Sequence, residues 1–165
     1  MEYFELPLDQ QGTRRWVIYY TNDQDGMATD KDNKILAFAQ VEGAQAYAKK
    51  KKWKIKPGME PFDLDQVELW CKSFDTDSLD CPALYRCWNL LGDVSNSLGL
   101  GSTFLGYSDS AMKIHEELFW GCNLPGMAPV DNPYRAKLSA EQVELLQEVF
   151  QEGLKLIKLH LKNMA

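Results

Sequence analysis

The feature that most constrains this chain is a change of periodicity at Lys56-Pro57-Gly58-Met59-Glu60-Pro61. Before it, short apolar runs rich in aromatic and β-branched residues alternate with turn residues, the pattern of strands. After it, apolar residues recur at intervals of three and four, the pattern of amphipathic helices. Proline and glycine at the switch cannot continue either pattern through it. The two halves also differ in charge. Residues 1–60 carry 10 basic and 9 acidic side chains, about neutral, whereas residues 61–165 carry 8 basic and 15 acidic ones.

Within the first part, Arg15-Trp16-Val17-Ile18-Tyr19-Tyr20 and Ile35-Leu36-Ala37-Phe38-Ala39-Gln40-Val41 read as strands, and Tyr3–Leu8 supplies a third. The polar stretch Thr21–Asn33 is long for a hairpin connection, so part of it extends the flanking strands. Ala44–Lys50 suits a short helix, and Trp53-Lys54-Ile55 returns as a strand. These elements predict a small antiparallel sheet carrying one helix.

Four helices are expected beyond the switch. Asp63 is a candidate cap for a helix over 64–72. Asp80-Cys81-Pro82, with Pro in the first turn, announces a helix whose apolar positions Leu84, Cys87, Trp88, Leu91, Val94 and Leu98 run to a stop at Gly99. A third helix spans about 110–120. The fourth opens on the capping box Ser139-Ala140-Glu141-Gln142 and carries the stripe Val143, Leu146, Phe150, Leu154, Ile157 and Leu161. The fold class is therefore α+β: one domain over 1–165, with a β-rich part (1–60) and a helical part (61–165). About 60 residues of sheet make a marginal core alone, so the two parts are expected to share one.

Composition narrows function mainly by exclusion. A net charge of −6 argues against direct nucleic-acid binding, which needs a basic face to displace counterions from phosphates. No apolar run approaches 18 residues, so no membrane span is expected. Met1–Pro7 lacks a basic segment followed by an apolar one, and Cys71, Cys81, Cys87 and Cys122 lack paired spacing. Together these predict a cytoplasmic protein with reduced thiols.

Signals for chemistry are few. There is no glycine-rich phosphate loop and no nucleophile elbow, and Gly99-Leu100-Gly101 follows a helix where a phosphate cradle precedes one. Asp23, Asp25 and Gly26 fall at calcium-loop positions 3, 5 and 6, but Thr21 and Asp32 occupy positions 1 and 12, and the flanks are strands. His115 and His160 are the only histidines, and both favour structural roles. The expectation is no catalytic residue, no cofactor and no metal.

Three surface features remain. Glu141, Glu144, Glu148 and Glu152 fall within about 80° of one another on the last helix. Their like-charge pairs at i,i+4 each cost about 0.2–0.5 kcal/mol, which a helix shaped only by stability would avoid. The segment Leu118–Met127 is dense in large apolar residues yet broken by Gly and Pro. It either packs as a lid or exposes Trp120, Leu124 and Met127 as anchors. The lysine run Lys49–Lys52, continued by Lys54 and Lys56, suits a helix C-terminus followed by a charged edge strand. A partner contact or a phosphate contact is the alternative for that run.

Three strings, FDLDQVELW (Phe62–Trp70), DCPALYRCWNLLGDV (Asp80–Val94) and EELFWGCNLPGM (Glu116–Met127), resemble small bacterial immunity proteins of toxin–immunity systems. The likeness extends over about residues 62–161 and involves packing positions, so it carries over no site residues. It implies a non-enzymatic inhibitor that neutralises a cognate toxin, a basic or nuclease-like protein, by stoichiometric binding. Glu141, Glu144, Glu148, Glu152, Trp120, Leu124 and Met127 are then the candidate contact residues. Two other functions are compatible with the sequence. One is a phage-type or regulatory inhibitor that presents acidic side chains in place of phosphates to a nucleic-acid-binding defence complex. The other is a hydrolase using clustered carboxylates.

Overall fold

The computed structural model describes residues 1–165. The chain opens with a hairpin of β1 (Glu2–Gln10) and β2 (Thr13–Thr21), paired in register from Glu2↔Thr21 to Gln10↔Thr13. Gln11 and Gly12 both have positive φ, 50° and 72°, which matches the turn twist to that of the strands. Part of the long polar stretch does form strand: β3 (Gly26–Met27) pairs with β2, and Thr29 bridges Ile35. Next come β4 (Ile35–Phe38), α1 (Val41–Lys50), β5 (Ile55–Lys56) and β6 (Phe62–Asp63). Then follow α2 (Leu64–Lys72), α3 (Cys81–Ser97), 3₁₀ turns at Gly101–Thr103 and Leu105–Tyr107, α4 (Asp109–Gly121), α5 (Ala140–His160) and β7 (Leu161–Met164).

The α+β class holds, with three differences from the sequence-based expectation. The sheet is mixed and not purely antiparallel, because β5, β6 and β7 all enter it parallel to their neighbours in the order β5-β1-β2-β4-β7. β7 comes from the far end of the chain, so the helical half supplies an edge strand to the N-terminal sheet. Leu161 therefore pairs with Ile35 in that sheet and does not extend the α5 stripe. Val41 is the first residue of α1 and not the last of a strand.

Both faces of the sheet are covered, which explains the near-continuous apolar runs in β2 and β4. Leu6, Leu8, Val17, Tyr19, Ile35 and Ala37 join one apolar cluster with residues of α2, α3, α4 and α5. The alternate residues Ile18, Leu36 and Phe38 join Ala44 and Ala48 of α1 in a second. The lysine run ends α1: Lys49 and Lys50 occupy its last turn, Lys51 caps it, and Lys52 turns the chain at φ 61°. Trp53 then stacks flat on Tyr3 (4.4 Å, 9°), and Lys56 on the edge strand pairs with Glu2. No helix is long and apolar enough to cross a membrane.

The helix starts follow their caps. Asp63 accepts from the backbone N–H groups of Asp65 and Gln66, Asp80 from Ala83, Ser108 from Ala111, and Ser139 with Gln142 closes both bonds of its capping box. α3 and α5 meet at a glycine. A Cβ on Gly153 would lie 2.8 Å from Cβ, Cδ1 and Cδ2 of the fully buried Leu91. Alanine would add about 1 kcal/mol of helix propensity, but overpacking so near a Cβ costs about 1–3 kcal/mol. Gly153→Ala is expected to lower the melting temperature by about 2–4 °C for each net kcal/mol lost, measured by circular dichroism. A raised melting temperature would mean that the two helices can separate at no cost.

Candidate functional site

The four glutamates of α5 do not form one equivalent row. Glu141, Glu144 and Glu148 are exposed, and none of them makes an ion pair. Glu152 is half-buried, and its Oε2 accepts a hydrogen bond from the backbone N–H of Leu105 at 3.1 Å. That bond holds the second 3₁₀ turn against α5, which accounts for an acidic residue placed too far along the helix to profit from the dipole. The free acidic face is thus Glu141, Glu144 and Glu148.

The apolar segment at the end of α4 exposes two of its three candidate anchors. Trp120 is 38% and Leu124 45% exposed, while Met127 is half-buried. Asn123, just beyond the Cys122 cap and at φ 48°, turns the chain and clamps its returning part. Its Nδ2 donates to the Tyr134 carbonyl (2.9 Å), and its Oδ1 accepts from the Tyr134 N–H (2.6 Å). Glu117 makes a second clamp, accepting from the Tyr134 hydroxyl (2.8 Å) and the Lys137 N–H (2.9 Å). Tyr134 is thereby held 6.3 Å from the Trp120 ring, centroid to centroid, and Phe119 lies at 6.0 Å on the same indole. A concavity of about 440 Å³ opens among Glu116, Glu117, Trp120, Met127 and Tyr134, with Lys113 on its wall. From Tyr134 the chain runs directly into Ser139 and the first turn of α5, which carries Glu141.

A second site was not anticipated. Tyr19 on β2, Asp25 in the following loop, Asn89 and Asp93 on α3, and His115 on α4 line a cavity of about 410 Å³. The Tyr19 hydroxyl donates to Asp93 Oδ2 (2.9 Å), and His115 Nε2 bonds Asn89 Oδ1 (2.8 Å). Close contacts shape this region. Ser97 Oγ accepts from the Met27 N–H (2.7 Å) and donates to the Asp93 carbonyl (2.7 Å), pinning β3 onto α3. At Gly92 a Cβ would lie 2.7 Å from the Tyr107 hydroxyl, so only glycine lets that ring lie across the helix.

Burial pushes the Asp93 carboxyl up to about 6, and the nearby Asp25 charge adds to the rise while the Tyr19 hydrogen bond opposes it. Burial also raises the Tyr19 hydroxyl and lowers the His115 imidazole. One sequence signal pointed here: Asn89 and Asp93 form a polar i,i+4 pair among the apolar residues Trp88, Leu90, Leu91 and Val94. The partners Tyr19 and Asp25 are more than 60 positions away, so spacing within the helix could not reveal them. No group of three or more His, Cys, Asp or Glu side chains converges as a metal site.

Two predictions follow from these bonds. Glu152→Ala orphans the Leu105 N–H and should cost about 1–2 kcal/mol, whereas Glu148→Ala should stay within about 0.5 kcal/mol of the parent, both by urea unfolding. For Asp93 the raised carboxyl means that the folded state binds more protons than the unfolded state between the ordinary carboxylate range and about 6. This group's contribution is therefore fully present at acid pH and is lost as pH rises through about 6. Asp93→Asn keeps an acceptor for Tyr19 and removes that loss. Its stability relative to the parent should grow by on the order of 2–3 kcal/mol between pH 4 and pH 7.5. A difference independent of pH would refute the shifted carboxyl.

No protein-family model matches the chain, and no curated protein is significantly similar to it. Among solved structures, the C-terminal domain of SatS, determined in complex with bromine, has a similar fold. The TM-score is 0.60 at 10% sequence identity, with 98% of this chain and 94% of that one covered. At such identity the likeness concerns the fold alone: the arrangement of mixed sheet and helices recurs in another protein.

Proposed function

We propose that this protein is a non-enzymatic binding protein that neutralises a basic partner by stoichiometric capture, in the manner of the immunity proteins that its helical half resembles. The observation that carries this reading is the braced aromatic surface at the end of α4. Large apolar side chains left in water are unremarkable singly. Here Trp120 and Leu124 are exposed on a segment held rigid by four hydrogen bonds from Asn123 and Glu117. Rigid aromatic anchors lose little entropy on binding, and Trp and Tyr are the residues that dominate interface energetics.

The electrostatics favour a basic partner, such as a toxin or nuclease-like protein. The helical half carries the protein's excess negative charge, and Glu141, Glu144 and Glu148 are free of internal ion pairs. Exposed charges of one sign accelerate encounter with an oppositely charged surface, and the anchors then set the lifetime of the complex. Glu152 belongs to the scaffold of this surface and not to its contacts.

The experiment is affinity capture with the wild-type protein, identification of the partner, and surface-plasmon kinetics with purified variants. Trp120→Ala should raise the dissociation rate about tenfold or more, equivalent to at least about 1.4 kcal/mol. Glu144→Lys with Glu148→Lys should slow association at low ionic strength, and the effect should fade as salt is added. Rates equal to wild type for both variants would overturn the surface assignment. A captured partner with an acidic binding face would overturn the electrostatic part.

A further inference from the structure

Lys49, Lys50, Lys51, Lys52, Lys54 and Lys56 place six exposed cations within eight residues, where α1 ends and the chain enters the edge strand β5. Only Lys56 has an anionic partner, Glu2; the other five are in no ion pair. Local structure accounts for part of the run. Lys49 and Lys50 lie in the last turn of α1, where cations complement the helix dipole, and that effect fades beyond the turn. Lys56 guards the exposed edge of β5 against unwanted pairing. Lys51 lies over the Tyr47 ring at 5.7 Å. Lys52 and Lys54 belong to neither element and repel their neighbours. The rest of the chain carries all 24 acidic and only 12 of the 18 basic side chains, so this positive corner stands alone on an acidic molecule. Aromatic rings lie directly beside it. Trp53 stacks on Tyr3 at 4.4 Å, with Tyr47 6.1 Å from Trp53 and Tyr20 6.5 Å from Tyr3, and all four rings are half-buried.

We propose that this corner is a docking surface for a bilayer containing anionic lipids. Clustered lysines are drawn to such a surface at about fivefold in affinity per charge. Lysine ammonium groups are point charges without the planar fork of arginine, so they suit a diffuse field of mobile phosphates better than a bidentate grip on one carboxylate. Tyr and Trp, each with an apolar body and a polar edge, favour the boundary between headgroups and acyl chains. Shape points the same way. None of the six lysines lines any of the molecule's main concavities, so a flat surface can meet the corner. A single-stranded nucleic acid wants a basic groove and open aromatic faces, and one face of Trp53 is covered by Tyr3. A longer nucleic acid would pass beyond the corner onto acidic surface, which repels it. A bilayer touches the corner alone, and acidic groups beyond about 8 Å are screened at physiological salt. The surface shares no residue with the Trp120 anchor or with α5, so it stands or falls separately from the partner reading.

The test is cosedimentation of the purified chain with vesicles of phosphatidylcholine alone and of equal parts phosphatidylcholine and phosphatidylglycerol. Binding is expected with the anionic vesicles only, and it should weaken as salt is added. Lys50→Gln, Lys52→Gln and Lys54→Gln combined spare the contacts of Lys51 and Lys56. This triple variant should bind the anionic vesicles about a hundredfold more weakly. Lys31→Gln, Lys137→Gln and Lys155→Gln combined remove the same charge from exposed, unpaired lysines elsewhere. That variant should bind as wild type does, and circular dichroism checks that both are folded. A single-stranded oligonucleotide and polyglutamate, compared at equal concentration of negative charge, represent the other occupants. The proposal is overturned by no binding to anionic vesicles, by equal binding to phosphatidylcholine alone, or by equal loss in the two triple variants. Tighter binding of either soluble polyanion than of the vesicles would also overturn it.

Discussion

The burial of α3 is the constraint on which the other parts depend. This helix packs against α4, against α5 and against the sheet through β3, and its buried residues include Cys87, Trp88, Leu90, Leu91, Val94 and Ser95. A helix enclosed so widely cannot present one apolar stripe and one polar face, as a surface helix does. Each neighbour needs its own accommodation. Gly153 lets α5 come close to Leu91, Gly92 makes room for Tyr107, and Ser97 pins Met27. The polar residues that α3 keeps inside, Asn89 and Asp93, therefore meet groups from three different elements. The cavity there is a consequence of that convergence.

The partner surface is built by a different device. α4 ends at Gly121, and after Asn123 the chain returns past Tyr134 without forming a helix or strand until α5 begins after Ser139. Such a segment would be mobile without internal bonds. Asn123 and Glu117 replace the missing backbone ladder with side-chain bonds to Tyr134 and Lys137. The result is an exposed indole whose neighbours hold still, placed next to the start of the most acidic helix. Rigidity and charge come together on the helical half, while the basic run lies across the molecule's sheet edge, engaged with Glu2, Tyr47 and Tyr3 through Lys56, Lys51 and Trp53.

The change of periodicity at Lys56–Pro61 marks a real change in local structure, but it does not divide the packing. β6 begins just after it and pairs with β1, and β7, from the last residues of the chain, completes the sheet beside β4. Charge is the property that divides there. The excess of acidic residues after the switch lies on helices whose exposed faces have few internal cations to meet.

Helix starts, their caps and the central strands were legible from the sequence, because capping and strand alternation are set by residues within a few positions of each other. Asp63, Asp80 and Ser139 cap the helices that their local patterns announced. The failures share one cause. Leu161, Glu152 and Asp93 each take their role from a residue or strand far along the chain. Leu161 is a strand residue because β4 offers an unpaired edge, and Glu152 is a structural acceptor because Leu105 presents an N–H. Asp93 is a raised carboxyl because the fold buries it and brings the Asp25 charge near it. The sequence by itself determined which segments are helix or strand and where negative charge accumulates. Only the tertiary structure decided which acidic residues are free, which are tied, and where a buried carboxylate meets a cavity, since burial and hydrogen bonding depend on neighbours that local pattern does not contain.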